Sequence, residues 1–290
     1  MDKLFIYSYG LFSFFPHGNN KCKKEIISKI IKPIFLDLNK EEKKLCIPGL
    51  LSSLIGGLDQ HNEEIAKIIY NVFDCFVTSK ETKRDFYGVF WMLLLKSKDL
   101  RNEGIKYLLE KIPRYEEFNK LDDFSKKEII ENEYPNINII VINTLCELIK
   151  DNSHILIIRN TMKFILERIP LSKSNNMITE QSKIKLITNV LHILIRCDFN
   201  AFLKFQKWIV GNNEMFDYHN EDMEYIKKLL TLAFKNLFNS EKNLKTEELT
   251  NFLKIILKFY EKETDIIDFI LPDIIYSILK CVFLLMKNII

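Results

Sequence analysis

The stretch KYLLEKIP at 106–113 returns 57 residues later as KFILERIP at 163–170, keeping lysine, aromatic, leucine, glutamate, base, isoleucine and proline in order. A line written twice in one chain marks a repeated structural unit. In the first copy Ile105, Leu108, Leu109 and Ile112 fall at i, i+3, i+4 and i+7, and in the second Met162, Ile165, Leu166 and Ile169 do the same. That spacing puts four apolar side chains on one stripe of an α-helix. Each copy runs into a proline, Pro113 or Pro170, which cannot continue a helix interior. Each is also preceded by Arg-Asn, at Arg101-Asn102 and Arg159-Asn160.

Another apolar-periodic stretch precedes each copy, DFYGVFWMLLLK at 85–96 and INIIVINTLCELIK at 137–150. Short polar breaks separate the partners, so the pattern predicts a helical hairpin twice. Two amphipathic helices cannot hide both apolar faces alone, and such hairpins stack into arrays. Segments 46–58 with 63–77, and 182–197 with 199–210, read as further hairpins, with Pro48 in a first turn, Asp198 as N-cap and Gly211 as C-terminal stop. Stretches 221–238, 246–262 and 265–286 continue the run, the last kinked or divided at Pro272. Polar loops are expected at 114–136, 171–180 and 211–220, with Ser125 and Glu128 at capping-box spacing before a short helix in the first. The predicted fold is all-α: a right-handed α-solenoid of stacked antiparallel helix pairs, HEAT- or armadillo-like, forming a single array over 1–290.

Composition agrees with helices. With 8 glycines and 7 prolines in 290 residues there is little material for the many tight turns of a β fold. The formal net charge of +3 is too balanced to imply a nucleic-acid or anionic-lipid surface. Six scattered cysteines, without a C-x-x-C pair, read as reduced, core-packing thiols of a cytosolic protein. The apolar run Leu4 to Phe15 has signal-peptide proportions but lacks a small-x-small cleavage site, and the C-terminal apolar stretch is broken by Lys280 and Lys287, so neither export nor a membrane span is expected.

Catalytic patterns are missing. Gly56-Gly57 is not followed by Lys-Ser/Thr, the five histidines are far apart, and no G-x-S-x-G elbow occurs. No enzyme, cofactor or metal site is expected. The basic segment NKCKKEIISKIIK at 20–32 reads as a solvated face in preference to a lipid contact, and Trp91 and Trp208 as core residues in preference to docking anchors. A helical-repeat nucleic-acid binder is disfavoured because Glu110 and Glu167 follow Lys106 and Lys163 at i+4, where they are expected to neutralise them. A generic HEAT-like adaptor remains the alternative that the array alone supports.

Several stretches resemble the N-terminal region of the Dopey family. They are YGLFSFFPH at 9–17, CIPGLLSSLIGGLDQHNEE at 46–64, FYGVFWMLLLKSKDLRNEGIKYLLEKIP at 86–113, LCELIKDNSHILIIRNTMKFILERIPLS at 145–172 and NVLHILIRCDFNAFLKFQKWIVG at 189–211, in the family's order over about residues 7–212. The resemblance implies a non-enzymatic scaffold, cytoplasmic and peripheral on Golgi and endosomal membranes, in endosome-to-Golgi transport. Its implied partner is an Arf-exchange-factor-related protein and, in some members, an aminophospholipid flippase or kinesin light chain. Trp91, Arg101, Arg159, Asn160, Pro170 and Trp208 match family positions and carry over as framework or interface residues. Family members extend upstream of the sequence that Met1 opens and far beyond residue 290, which favours reading the chain as a fragment or an incomplete gene product.

Overall fold

The computed structural model describes residues 18–58, 63–78, 80–151, 154–173, 175–196, 200–210 and 220–240, with short pieces between 250 and 279. Among these residues the regular structure is helical and no strand occurs. The sequence expectations at residues 4–15, Asp198 and Gly211 lie outside the described residues, as does most of 246–286 around Pro272. Contacts gather into two compact units, 1–113 with 118–160 and 114–117 with 161–290.

In the first unit, α1 (Asn20–Ile26) starts at Asn19, whose side chain accepts from the Cys22 N–H at 2.8 Å. A π-helical turn at 27–31 buries Ile27 and Ile31, and α2 (Lys32–Asp37) follows. The next helix, α3 (Lys40–Leu54), begins with a capping box: Asn39 Oδ1 accepts from Glu42 N and Glu42 Oε2 from Asn39 N, each at 3.0 Å. This box starts the helix well before residue 46, so Pro48 stands inside it instead of in a first turn. Its missing N–H leaves the Lys44 carbonyl without the usual i+4 donor. A 3-10 turn at 55–58 leads to α4 (Glu63–Val77), which buries Ile65, Ile69, Val72, Phe73 and Phe76.

Helix α5 (Lys80–Lys96) is the centre of this unit, with α3, α4 and the later helices over 123–133 and 141–149 packed against it. It buries Phe86, Tyr87, Phe90, Trp91 and Leu94, a stripe one turn apart. The first echo forms α6 (Arg101–Lys111), and its aromatic, Tyr107, enters a cluster with Phe73 and Phe90 at ring-centroid distances of 5.4 and 5.0 Å. Gly104 permits that approach, because a Cβ there would lie 2.3 Å from Leu94 Cδ2.

Segment 114–136 is largely helical, not a loop. It forms α7 (Tyr115–Asn119) and α8 (Asp123–Glu133). The α8 cap is Asp122, which takes both the N–H and the hydroxyl of Ser125 at 2.8 Å, so Ser125 is the capped residue and not the cap. A carboxylate accepts two bonds from the same residue here, where a serine at the cap would accept one. The chain then turns through Asn136, whose φ of 47° lies in the left-handed region that asparagine tolerates, and whose carbonyl accepts from Ile139 and Ile140. That turn delays α9 (Val141–Ile149) to residue 141.

The second echo lies in α10 (Ile155–Arg168), and the second unit begins within that helix at Thr161. α11 (Glu180–Arg196) packs against α13 (Asn220–Ser240), burying Leu186, Ile187 and Val190 on one and Ile226, Leu230 and Phe234 on the other. Between them α12 (Asn200–Val210) buries Phe202, Phe205, Trp208 and Ile209. Among the described cysteines Cys46 and Cys146 are buried thiols as expected, whereas Cys22 is exposed, since α1 buries none of its residues.

Candidate functional site

Trp91 and Trp208 are buried to 0% and 1% exposure, and each spends its indole N–H on a carbonyl at the end of another helix. Trp91 Nε1 donates to Glu133 O at 2.9 Å, and Trp208 Nε1 donates to Ile169 O at 2.7 Å. The last four carbonyls of a helix have no intrahelical donor, so an indole arriving from a neighbour fills a vacancy that would otherwise be buried. These residues hold helix ends in place and offer no docking face.

Arg101 works the same way with a charge. Its guanidinium donates to Leu94 O at 3.0 Å and Leu95 O at 3.1 Å, both at the end of α5, and to Asp151 Oδ2 at 2.5 Å. Arginine and aspartate side chains are 6% and 3% exposed, so the pair is desolvated, and the two carbonyls help compensate the charge. Asp151, fifty residues away in sequence, was not singled out by the sequence pattern; only its place just after an apolar helix hinted at a role.

Arg159 does not repeat this arrangement. The echo has a 57-residue register, so the position matching Arg101 is Ile158, which is buried, while Arg159 is exposed and Asn160 half-buried. One residue on a helix is a rotation of about 100°, enough to move a side chain from core to solvent. Pro170 is buried, and its carbonyl accepts from Asn175 Nδ2 at 2.9 Å. The expected lysine–glutamate neutralisation is absent too. Glu110 takes the Tyr70 hydroxyl at 2.5 Å and Glu167 faces Arg114 and Arg168, so both carboxylates are drawn to other partners than Lys106 and Lys163.

In the second unit Lys183 is 1% exposed. Its ammonium donates to Ser172 O at 2.7 Å and lies 5.0 Å from the Tyr225 ring centroid. Burial pulls its pKa down to about 8, partly opposed by Asp222 and Glu180. Among the described residues no three His, Cys, Asp or Glu side chains gather as a metal site, and no helix is long and apolar enough to cross a membrane.

Among the described residues, one surface feature with ligand-sized dimensions is a groove of about 850 Å³ in the first unit, walled by α3, α5 and the turn at 135–140. The sequence carried one signal for it that the helical reading passed over: Arg84, Gly88, Met92 and Lys96 recur every four residues along one side of α5.

A family profile described as "Dopey, N-terminal" matches residues 1–214. Two curated relatives, each a "Protein DOP1 homolog", from Drosophila pseudoobscura pseudoobscura and Drosophila melanogaster, are 26% identical over 211 residues. That alignment covers 72% of this chain and 7% of either relative, so the chain spans a small fraction of their length. No solved structure matches. With the described residues of the matched region helical, and the profile running across most of the chain, this protein belongs to the Dopey N-terminal family.

Proposed function

We propose that this chain is part of a non-enzymatic scaffold in endosome-to-Golgi trafficking, cytoplasmic and peripheral on Golgi and endosomal membranes, acting through contacts with an Arf-exchange-factor-related protein. The observation that carries the reading is the family match over residues 1–214. The geometry supports it by its economy: tryptophans and the buried Arg101–Asp151 pair secure helix ends, which serves rigidity and positions no reacting group. Within this proposal the helix pairs form one right-handed HEAT-like solenoid over the whole chain. Arrays of that kind present long surfaces to other macromolecules. An aminophospholipid flippase and kinesin light chain are further partners the family suggests.

The test is affinity capture from cell extract with the intact gene product, joined to its location in the cell. Recovery of an Arf-exchange-factor-related protein, with fluorescence on Golgi or endosomal membranes, is the expected result. A nuclear location with unrelated co-purifying proteins would contradict it and favour a HEAT-like adaptor of another pathway.

A further inference from the structure

Arg84 and Lys96 mark the two ends of the groove along α5, twelve residues apart and so separated by about 18 Å at 1.5 Å per residue. Both are exposed, and among the described residues neither has a carboxylate partner. Asp85, the carboxylate in the lining, is already 3.4 Å from Lys44. The ends of the groove therefore carry uncompensated positive charge. Its middle is apolar, built from Val89 and Met92, with Pro48 and Pro135 as flanking walls. Met92 is 38% exposed, and Ile139, next in the chain to the lining residue Ile140, is 70% exposed.

Gly88 sits at the centre of this floor, inside a 17-residue helix where glycine is among the least favourable residues. Internal packing does not ask for it, since a Cβ there would meet only Pro135 Cγ at 3.8 Å, an ordinary contact. Gly104 on α6 is the opposite case, demanded by its neighbour. What Gly88 supplies is depth. It leaves bare backbone at the bottom of a trough that has bases at both ends.

We propose that this groove docks a segment of a partner protein with carboxylates at both ends of an apolar centre, either a helix of about three turns or five to six extended residues. A bilayer is the poorer match, because interfacial binding uses a broad apolar face, whereas the apolar middle here is confined to Val89 and Met92 between Pro48 and Pro135. Nucleic acid is poorer still, since the groove has no aromatic stacking surface and few unpaired bases. The inference rests on the scaffold reading only for its biological setting, and its test needs no trafficking partner.

The experiment pans a phage-displayed library of random 16-residue peptides against the 290-residue chain, then measures enriched peptides by fluorescence anisotropy. Enriched sequences are expected to place Asp or Glu on both sides of an apolar centre and to weaken as salt is raised. Arg84→Glu with Lys96→Glu, both at exposed positions, is expected to reduce affinity at least tenfold. Gly88→Leu, which fills the trough without changing charge, is expected to do the same, with circular dichroism unaltered in both variants. No enrichment over an unrelated helical protein, enriched peptides lacking acids, or equal binding by the variants would overturn the proposal. So would loss of flotation with phosphatidylserine vesicles in the same variants, which would assign the groove to lipid. Failure to capture the exchange-factor-related protein while acidic peptides still bind would defeat the function proposed above and leave the groove assignment standing.

Discussion

The two echo helices end alike and begin differently. Ile112 N donates to Leu108 O at 3.0 Å and Ile169 N to Ile165 O at 3.1 Å, the same bond in the same register, each just before its proline. On the shared stripe, Ile105, Leu108 and Ile112 are buried in one copy and Met162, Ile165, Leu166 and Ile169 in the other, while Leu109 stays half-buried. Upstream they part. α6 opens on a buried arginine tied to α5 and Asp151, and the corresponding turn of α10 carries Ile158 in its place. Near the C-terminal end, Lys111 reaches Asp74 at 2.7 Å from a part-exposed position, while the equivalent Arg168 is buried with its guanidinium 5.2 Å from the Phe164 ring centroid. The repeat keeps the apolar stripe and the terminating bond, and each copy has its own polar attachments.

The largest test of the shared stripe is Leu166→Asp, which places an unpaired charge in the core and is expected to destabilise by roughly 4 kcal/mol or more. Lys163→Ala, three residues earlier on the exposed face, should stay within about 0.5 kcal/mol. Equal midpoints in urea would mean that the stripe faces the other way. The next contrast concerns what differs between the copies. Arg101→Ala breaks a buried pair and leaves Asp151 alone, with an expected loss of about 3–5 kcal/mol, against nearly nothing for Arg159→Ala. Comparable losses at both arginines would restore the Arg-Asn correspondence that the structure rejects.

Alkaline titration separates Lys183 from the buried tyrosines by sign. Lys183 in the second unit has a folded pKa of about 8, below the lysine value of about 10.4 in an unfolded chain. Between those values the unfolded state holds more protons, so stability should rise with pH. Tyr70, Tyr87 and Tyr107 in the first unit are pushed above the usual tyrosine range, chiefly by burial. Above about pH 10 the unfolded chain loses those protons first, and stability should fall. Urea midpoints across pH 7.5 to 11 are expected to pass through a maximum, and Lys183→Met should remove the rise while keeping the fall. A rise that survives in Lys183→Met would show that another group produces it.

The glycine pair gives the smallest effects. Gly104→Ala is expected to cost about 1–3 kcal/mol, because Leu94 must move from a packed position. Gly88→Ala is expected to stabilise by about 0.5–1 kcal/mol, since helix propensity improves and nothing obstructs the methyl group. Matching signs in thermal melts would erase the distinction on which the groove's depth rests.

The stripes, the succession of helices and both proline stops were legible in sequence because they are set by neighbours three and four residues away. The capping at Asn39 was legible too, as an Asn followed three residues later by Glu, but Pro48 drew the helix start six residues too late. At α8 the serine drew the cap away from the aspartate that performs it. What could not be read locally were bonds between distant residues. Arg101 meets Asp151 across fifty positions, Trp91 meets Glu133 across 42 and Trp208 meets Ile169 across 39. The groove belongs to the same class, since its walls come from three separated segments while only the stripe on α5 is local.

Native-state hydrogen exchange at the Ile112 and Ile169 amides tests the correspondence of the echo helices most directly. Both amides should be protected well above random-coil rates, together with those of Leu108 and Ile165 a turn earlier. Random-coil exchange at either isoleucine while its counterpart is protected would contradict the shared helical ending.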